Sequence, residues 1–138
     1  HSRQLRFGYR VHVIVRETEG EAIDASRLLL SRLDAQEGAR IRAQSLDSTS
    51  TGVRAQGALR ESADSDGFAE ENLWTGIGRA RSGCGAAIVG DPDQVLRKLN
   101  TYAEMGIESF ILSGYPHREE CDLFARYVLP ELDHARLS

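Results

Sequence analysis

The sequence is poor in the residues that mark several classes of protein. Among its 138 residues there are two cysteines, Cys84 and Cys121, and neither stands in a CxxC pair or in a Cys/His cluster with metal-ligand spacing. We therefore expect two free thiols and neither a zinc site nor a structural disulfide. The sequence contains no run of about 18 apolar residues, and its N-terminus lacks the apolar core of a signal peptide. A cytoplasmic location without a membrane partner is the default expectation.

Lysine is almost absent as well. Lys98 is the one lysine among 17 basic residues, and the arginines are scattered among 21 acidic residues, which gives a net charge of −4. A nucleic-acid surface needs clustered positive charge, so we expect no nucleic-acid partner. With 41% hydrophobic residues, the composition is that of one soluble domain with a modest core.

Three segments show the pattern of a β-strand followed by an α-helix. Thr18 with Glu21 and Asp91 with Gln94 form capping boxes at the starts of the first two helices, and Gly106 follows the end of the second. The alternation and apolar periodicity complete the assignment. The predicted strands are residues 9–16, 86–89 and 107–113, and the predicted helices are residues 19–35, 92–105 and 118–132.

Successive β-α units of this kind predict parallel strands with right-handed crossovers. The spacing of helix, glycine and strand is the repeat of a (β/α) barrel, but a barrel needs eight units and about 250 residues, so the chain would form only part of one. An open doubly wound sheet fits the same pattern. Residues 36–69 are rich in Ser, Asp, Gly and Ala, which predicts a mobile insertion or lid, with a weak helix within residues 53–61.

The first strand carries polar side chains on one face. Val11, Val13 and Val15 lie on the apolar face, and Arg10 and His12 point to the opposite side of the sheet. In a barrel that side is the interior, where an arginine and an imidazole need a ligand, a carboxylate or water. On an open sheet, a solvated face explains them equally well.

Two further candidates follow the third strand, at the edge where parallel sheets place their sites. Tyr115 can donate a hydrogen bond or a proton there, and His117 lies near the start of the next helix; packing and helix capping are the alternative roles. The glycine-rich stretch of residues 76–90 contains neither GK[ST] nor the dinucleotide fingerprint, but Arg81 within it is a candidate for binding an anion. These residues predict a pocket for an anionic ligand without specifying a reaction.

Three strings in the sequence resemble a known family. FGYRVHVIVRETEGEA, NLWTGIGRARSGCGAAIVGDPDQV and YAEMGIESFILSGYPHREE are similar, in order, to the C-terminal part of the flavin-dependent alkanesulfonate monooxygenases of the bacterial luciferase-like family. The similarity covers residues 5–133 apart from 36–69, and SGYPH and RVHVIVRET are its most specific strings. The resemblance implies the C-terminal portion of a TIM-type barrel: one partial domain over residues 1–138, with residues 36–69 as a mobile insertion or lid.

The resemblance also implies a reaction. Members of the family use oxygen and reduced FMN, delivered by a separate NAD(P)H-dependent FMN reductase, to cleave the carbon–sulfur bond of an alkanesulfonate into an aldehyde and sulfite. Carried over to this sequence, the catalytic candidates are Arg10, His12, Arg81 and Tyr115, and the residues implied to bind the cofactor are Arg81, Tyr115 and His117. Arginines can hold a sulfonate, while His12 and Tyr115 can position or move protons.

The family's N-terminal half, which brings an active-site cysteine and much of the FMN phosphate site, has no counterpart in the sequence. We therefore expect a homo-oligomeric piece of a longer enzyme that is inactive alone. Two alternatives stay open. One is another luciferase-like flavin or deazaflavin oxidoreductase, and the other is a non-catalytic half-barrel that assembles by pairing its strand edges.

Overall fold

Alternating side chains place the first strand at the centre of a five-stranded sheet. A computed structural model describes residues 5–31, 40, 51–80 and 85–134, which form an α/β fold around this mixed sheet. The strands are β1 (Phe7–Val15), β2 (Phe68–Glu70), β3 (Leu73–Trp74), β4 (Ala87–Gly90) and β5 (Ile107–Ser113). The helices are α1 (Glu19–Ser31), α2 (Thr51–Glu61), α3 (Ile77–Ala80), α4 (Pro92–Glu104) and α5 (His117–Tyr127), followed by a 3-10 turn over Leu129–Glu131.

The order of the strands in the sheet is β2-β3-β4-β1-β5. The strands β1, β4 and β5 run parallel, which confirms the three predicted β-α units. The expectation of parallel strands alone is wrong, because β2 and β3 form an antiparallel hairpin and β3 runs antiparallel to β4. Strands of three and two residues are too short for the alternation of side chains to reveal them.

The central position of β1 distinguishes this sheet from a run of barrel strands. Around a barrel each strand pairs with the next one along the chain, so β4 would lie between β1 and β5. Here β5 pairs with β1, and α1 packs on one face of the sheet while α4 and α5 pack on the other. This is the order of an open doubly wound sheet. It suits a strand whose two faces both carry apolar side chains, and the barrel stays a prediction for a longer protein.

Each face of the sheet buries its own cluster. On the face covered by α4 and α5, here called the α5 face, the predicted valine stripe is confirmed. Its buried members are Val11, Val13, Val15, Ile88, Val95, Leu99 and Val128. The opposite face, here called the α1 face, is covered by α1 and the β3–α3 segment. Its buried members are Ile14, Ala22, Trp74, Ile77, Ala87 and Val89.

The predicted helix starts are confirmed by their hydrogen bonds. The amide of Thr18 donates to the carboxylate of Glu21 over 3.1 Å, and the Glu21 amide donates to the Thr18 hydroxyl over 3.3 Å. Asp91 and Gln94 form the same reciprocal pair at the start of α4. Gly106, with φ of +100°, follows the end of α4 as expected.

Two predicted helix boundaries need correction. The last helix ends at Tyr127 and not at residue 132, since the Pro130 ring lacks the N–H that would continue the helical ladder. The weak helix predicted within residues 53–61 is confirmed as α2. Most of the predicted insertion, residues 36–39 and 41–50, lies outside the described residues, as do residues 32–35 of the first predicted helix. None of the described helices is both long and apolar enough to span a bilayer.

Candidate functional site

The carboxyl ends of β1 and β5 frame a crevice. The connection after β1 leads to α1 on one face of the sheet, and the connection after β5 leads to α5 on the other. Where neighbouring connections leave in opposite directions, open α/β sheets leave a gap in which ligands bind. The candidate site is therefore the β1/β5 crevice, on the α1 face of which lie the predicted side chains.

Three rings line up beside this crevice. The ring of His12 lies 5.5 Å from that of Tyr115 at an interplanar angle of 24°, so the two rings are stacked. The Tyr115 ring meets the His117 ring edge-on at 4.4 Å and 61°. His12 is 1% exposed, Tyr115 is half-buried and His117 is exposed. This aromatic column of His12, Tyr115 and His117 thus connects a buried imidazole to an exposed one through a phenol.

His117 does not cap the helix that it begins. The residue in the N-cap position of α5 is Pro116, which makes no side-chain hydrogen bond to the helix. The imidazole of His117 is instead directed at the Tyr115 ring. The capping role considered for His117 is therefore wrong.

Arg10 and Arg81 do not join the column in the described structure. Arg10 lies on the α1 face of β1, two residues before His12, with an exposed side chain. Its partner across the strand pair is Ile111, which is 65% exposed, so the α1 face is uncovered there. Arg81 lies outside the described residues. The structure brings together His12, Tyr115 and His117, and it leaves Arg10 at the open end of the same face.

Ser113 is a neighbour of the column that the sequence reasoning missed. Its hydroxyl oxygen lies 3.3 Å from Nδ1 and 3.4 Å from Nε2 of His12, and the two residues are register partners in the parallel β1–β5 pair. One signal was present in the sequence. Ser113 precedes Tyr115 by two positions, a spacing that places both side chains on one face of an extended chain.

A bidentate ion pair crosses the crevice on its other side, and sequence reasoning missed it too. Arg16 donates two hydrogen bonds to the carboxylate of Glu120, over 2.6 and 3.0 Å, and a third to the carbonyl of Val15 over 2.7 Å. Glu120 is 4% exposed. Because 104 residues separate the partners, no local pattern announces the pair.

Gly114 lets the crevice close around this pair. A Cβ atom at Gly114 would lie 2.4 Å from the Cβ of Glu120 and 3.2 Å from the carbonyl oxygen of Val13. Beside it, a cavity of about 290 Å³ opens on the α5 face, with apolar walls from Leu112 and Phe124 and the exposed Cys121. Cys121 is a free thiol as expected, and Cys84 lies outside the described residues.

Perturbed pKa values mark a second cluster, between α4 and the β2–β3 hairpin. A hydrogen bond from Lys98, over 2.8 Å, lowers the pKa of Glu70 against the opposing effect of burial. Burial, with smaller effects from Tyr9 and Glu70, raises the pKa of Tyr102, whose hydroxyl donates to Glu70 over 3.1 Å. Because each member is satisfied by another, this cluster ties α4 to the hairpin and is a structural contact.

The described residues offer only one side of a flavin site. Tyr115 and His12 present aromatic faces against which a planar ring can lie. The first turn of α5, however, carries Glu119 and Glu120, whose charges oppose the binding of a phosphate at that helix start. The described part of the chain therefore does not fit a complete FMN, and no reaction step is assigned through the flavin. Within the same ranges, no group of three or more His, Cys, Asp or Glu side chains is placed to hold a metal ion.

Comparison with known proteins gives two strong similarities. No family model matches the chain. Over 138 residues, all of this chain, it is 64% identical to the sulfoquinovose monooxygenase of Novosphingobium aromaticivorans, of which it covers 38%. Over 132 residues, 96% of this chain, it is 54% identical to the sulfoquinovose monooxygenase of Agrobacterium fabrum, of which it covers 34%.

The chain is similar to monooxygenases along its whole length. It spans about a third of the length of the curated relatives that it matches, 38% of one and 34% of the other. The aromatic column and the β1/β5 crevice lie within the matched region, because the first match includes every residue of the chain.

Proposed function

We propose that this chain is part of a reduced-FMN-dependent monooxygenase that cleaves the carbon–sulfur bond of a sulfonate, with sulfoquinovose as the substrate. The observation that carries the proposal is the 64% identity, over all of the chain, to a sulfoquinovose monooxygenase. Such a reaction consumes the sulfonate, oxygen and reduced flavin, and it yields an aldehyde, sulfite, water and oxidised flavin. A separate NAD(P)H-dependent reductase supplies the reduced FMN in this proposal, which takes both from the family resemblance.

The substrate proposal departs from the alkanesulfonate that the resemblance implied. Both relatives are named for sulfoquinovose, a sugar that carries a sulfonate group, and not for a simple alkanesulfonate. The two substrates share the anion and the bond to be cleaved but differ in the hydroxyl groups of the sugar. An alkanesulfonate is therefore the natural competitor in any test.

The geometry of the described residues supports roles for four of them. Arg10, exposed on the open part of the α1 face, is suited to binding the sulfonate. His12 and Tyr115 are stacked, and both carry groups that can hold or move a proton. His117 extends the column to the surface, where a proton can exchange with water. Arg81 is proposed as a second arginine of the site on the resemblance alone.

The barrel and the oligomer are proposals for the longer protein. The free edge of β5, which pairs with β1 on one side only, is where further strands would extend the sheet. Residues 36–69 are proposed as the lid of the site, and the 138-residue chain alone is proposed to be inactive, since the described part of the chain lacks a complete FMN site.

A chimera tests the proposed function. The matched 38% of the Novosphingobium aromaticivorans enzyme is replaced by this chain, and sulfite release is measured with reduced FMN, oxygen and either sulfoquinovose or a linear alkanesulfonate. We expect sulfite from sulfoquinovose at a rate within about tenfold of the parent enzyme and much less from the alkanesulfonate. A folded chimera that releases no sulfite from sulfoquinovose contradicts the proposal, and one that prefers the alkanesulfonate contradicts the choice of substrate.

A further inference from the structure

We infer that Ser113 is a positioning residue for the imidazole of His12. What His12 does in catalysis rests on the proposed function, but the orientation of its ring can be measured without turnover. The claim is that the Ser113 hydroxyl holds the edge of the ring while Tyr115 holds one face.

Strand register places the two side chains against each other. His12 and Ser113 are direct partners in the parallel β1–β5 pair, and both lie on the α1 face. The hydroxyl oxygen is 3.3 Å from Nδ1 and 3.4 Å from Nε2, so it faces the edge of the ring between the two nitrogens. The ring is 1% exposed and stacked on Tyr115 at 24°, which limits its rotation.

A hydroxyl is suited to this position because it can both donate and accept a hydrogen bond. A neutral imidazole has one nitrogen that donates and one that accepts, and the neighbours of the ring decide which is which. A carboxylate or a carbonyl accepts only, and it would fix one tautomer. Ser113 can accept from the protonated nitrogen or donate to the other, so it holds the ring and influences the balance between the tautomers.

Ser109 provides a matched control on the same strand and face. It lies four residues before Ser113 in β5, is exposed, and is the register partner of Gly8. Replacing Ser109 with alanine removes a hydroxyl from the same strand without touching the ring of His12. Ser113→Thr is the conservative counterpart, because it keeps the hydroxyl.

Nuclear magnetic resonance of the 138-residue chain tests the inference directly. The chain, with ¹⁵N-labelled histidine, is recorded at about pH 9, well above the ordinary imidazole pKa of about 6.5, so that the neutral tautomers dominate. The signals of His12 among the four histidines are assigned with His12→Gln. The ratio of the two His12 tautomers is then compared among the wild type, Ser113→Ala, Ser113→Thr and Ser109→Ala.

We expect Ser113→Ala to change the tautomer ratio about two- to tenfold, the range that one hydrogen bond of ordinary net strength produces. Ser113→Thr and Ser109→Ala should keep the wild-type ratio. A folded Ser113→Ala chain with an unchanged ratio overturns the inference. Should that variant fail to fold, Ser113→Cys decides: its thiol is a weak donor, so a shifted ratio supports the inference and an unchanged ratio overturns it.

Turnover in the chimera gives a second, separate readout. With Ser113→Ala in the chimera we expect a fall of about threefold or more in kcat for sulfite release, with the KM for sulfoquinovose little changed and kcat restored by Ser113→Thr. A fall in kcat that Ser113→Thr does not restore counts against positioning by the hydroxyl. If the unmodified chimera releases no sulfite, the proposed function fails, while the tautomer measurement still decides the role of Ser113.

Discussion

Arg16 and Glu120 join the end of β1 to the first turn of α5 through two parallel hydrogen bonds, over 2.6 and 3.0 Å. The carboxylate is 4% exposed, while the Arg16 side chain is 25% exposed and also donates to the Val15 carbonyl. Buried charges are tolerated in proteins when they are paired and hydrogen-bonded, and both conditions are met here. The pair therefore fixes the position of α5, and with it His117, relative to the strand that carries His12.

Removing one charge of this pair should destabilise the fold strongly. Glu120→Gln leaves a partly buried guanidinium without its counter-charge, and we expect a loss of about 3 kcal/mol in the free energy of unfolding. Urea unfolding followed by the fluorescence of Trp74, the one tryptophan in the sequence, measures it. The control is Glu108→Gln, which breaks the exposed pair with Arg6 and should cost less than about 1 kcal/mol. Similar losses in the two variants would contradict this account of the crevice.

Gly114 should resist even the smallest enlargement. The alanine Cβ would lie 2.4 Å from the Cβ of Glu120, so Gly114→Ala must push α5 away from β1, at a cost of about 1–3 kcal/mol. Gly57→Ala, in the middle of α2 with open space around the new methyl, should instead stabilise the chain by about 0.5–1 kcal/mol. Thermal unfolding of the two variants checks the opposite signs. A neutral Gly114→Ala would show that the close approach of the helix is not required.

The Glu70–Lys98 contact should appear in the dependence of stability on pH. The pKa of Glu70 is lowered in the folded chain from 4.5, so between its folded pKa and 4.5 the unfolded state binds more protons. The contribution of this carboxylate is therefore present above pH 4.5 and is lost as the pH falls through the folded pKa. Relative to the wild type, Glu70→Gln should lose stability at neutral pH and approach the wild type in acid.

The neighbouring glutamate is the control for that experiment. Lys98 hydrogen-bonds the backbone carbonyl of Glu71, not its carboxylate, so Glu71→Gln should follow the wild-type pH curve. Urea unfolding between about pH 3 and pH 7 gives both curves. If Glu70→Gln differs from the wild type by the same amount at every pH, the charge of Glu70 does not stabilise the fold.

Much of the fold was predictable because its signals are local. Capping boxes at Thr18 and Asp91, the glycine after α4 and the alternation along β1 each lie within a few residues, and each is confirmed. The pairing partner of β5 was not predictable in this way. Whether β5 pairs with β1 or with β4 depends on which sheet faces the helices cover, and the sequence pattern is the same in both cases.

The candidate site divides along the same line. His12 and Tyr115 were predicted from their places on and after a strand, and the structure stacks them. Ser113 was missed because its contact with His12 spans 101 residues, a separation that no periodicity reports. The roles of the predicted residues stay proposals, since position alone does not assign a reaction.

The aromatic column is the centre of this account, and sulfite release by the chimera tests it most directly. Tyr115→Phe keeps the ring that packs against His12 but removes the hydroxyl, and Tyr127→Phe removes a hydroxyl from an exposed tyrosine of α5 that donates to Glu17. We predict that Tyr115→Phe lowers kcat for sulfite release from sulfoquinovose about a hundredfold or more, in the range of a lost proton-transfer group, while Tyr127→Phe changes it by less than about twofold. Equal rates in the two folded variants would contradict the central claim that the column carries the chemistry.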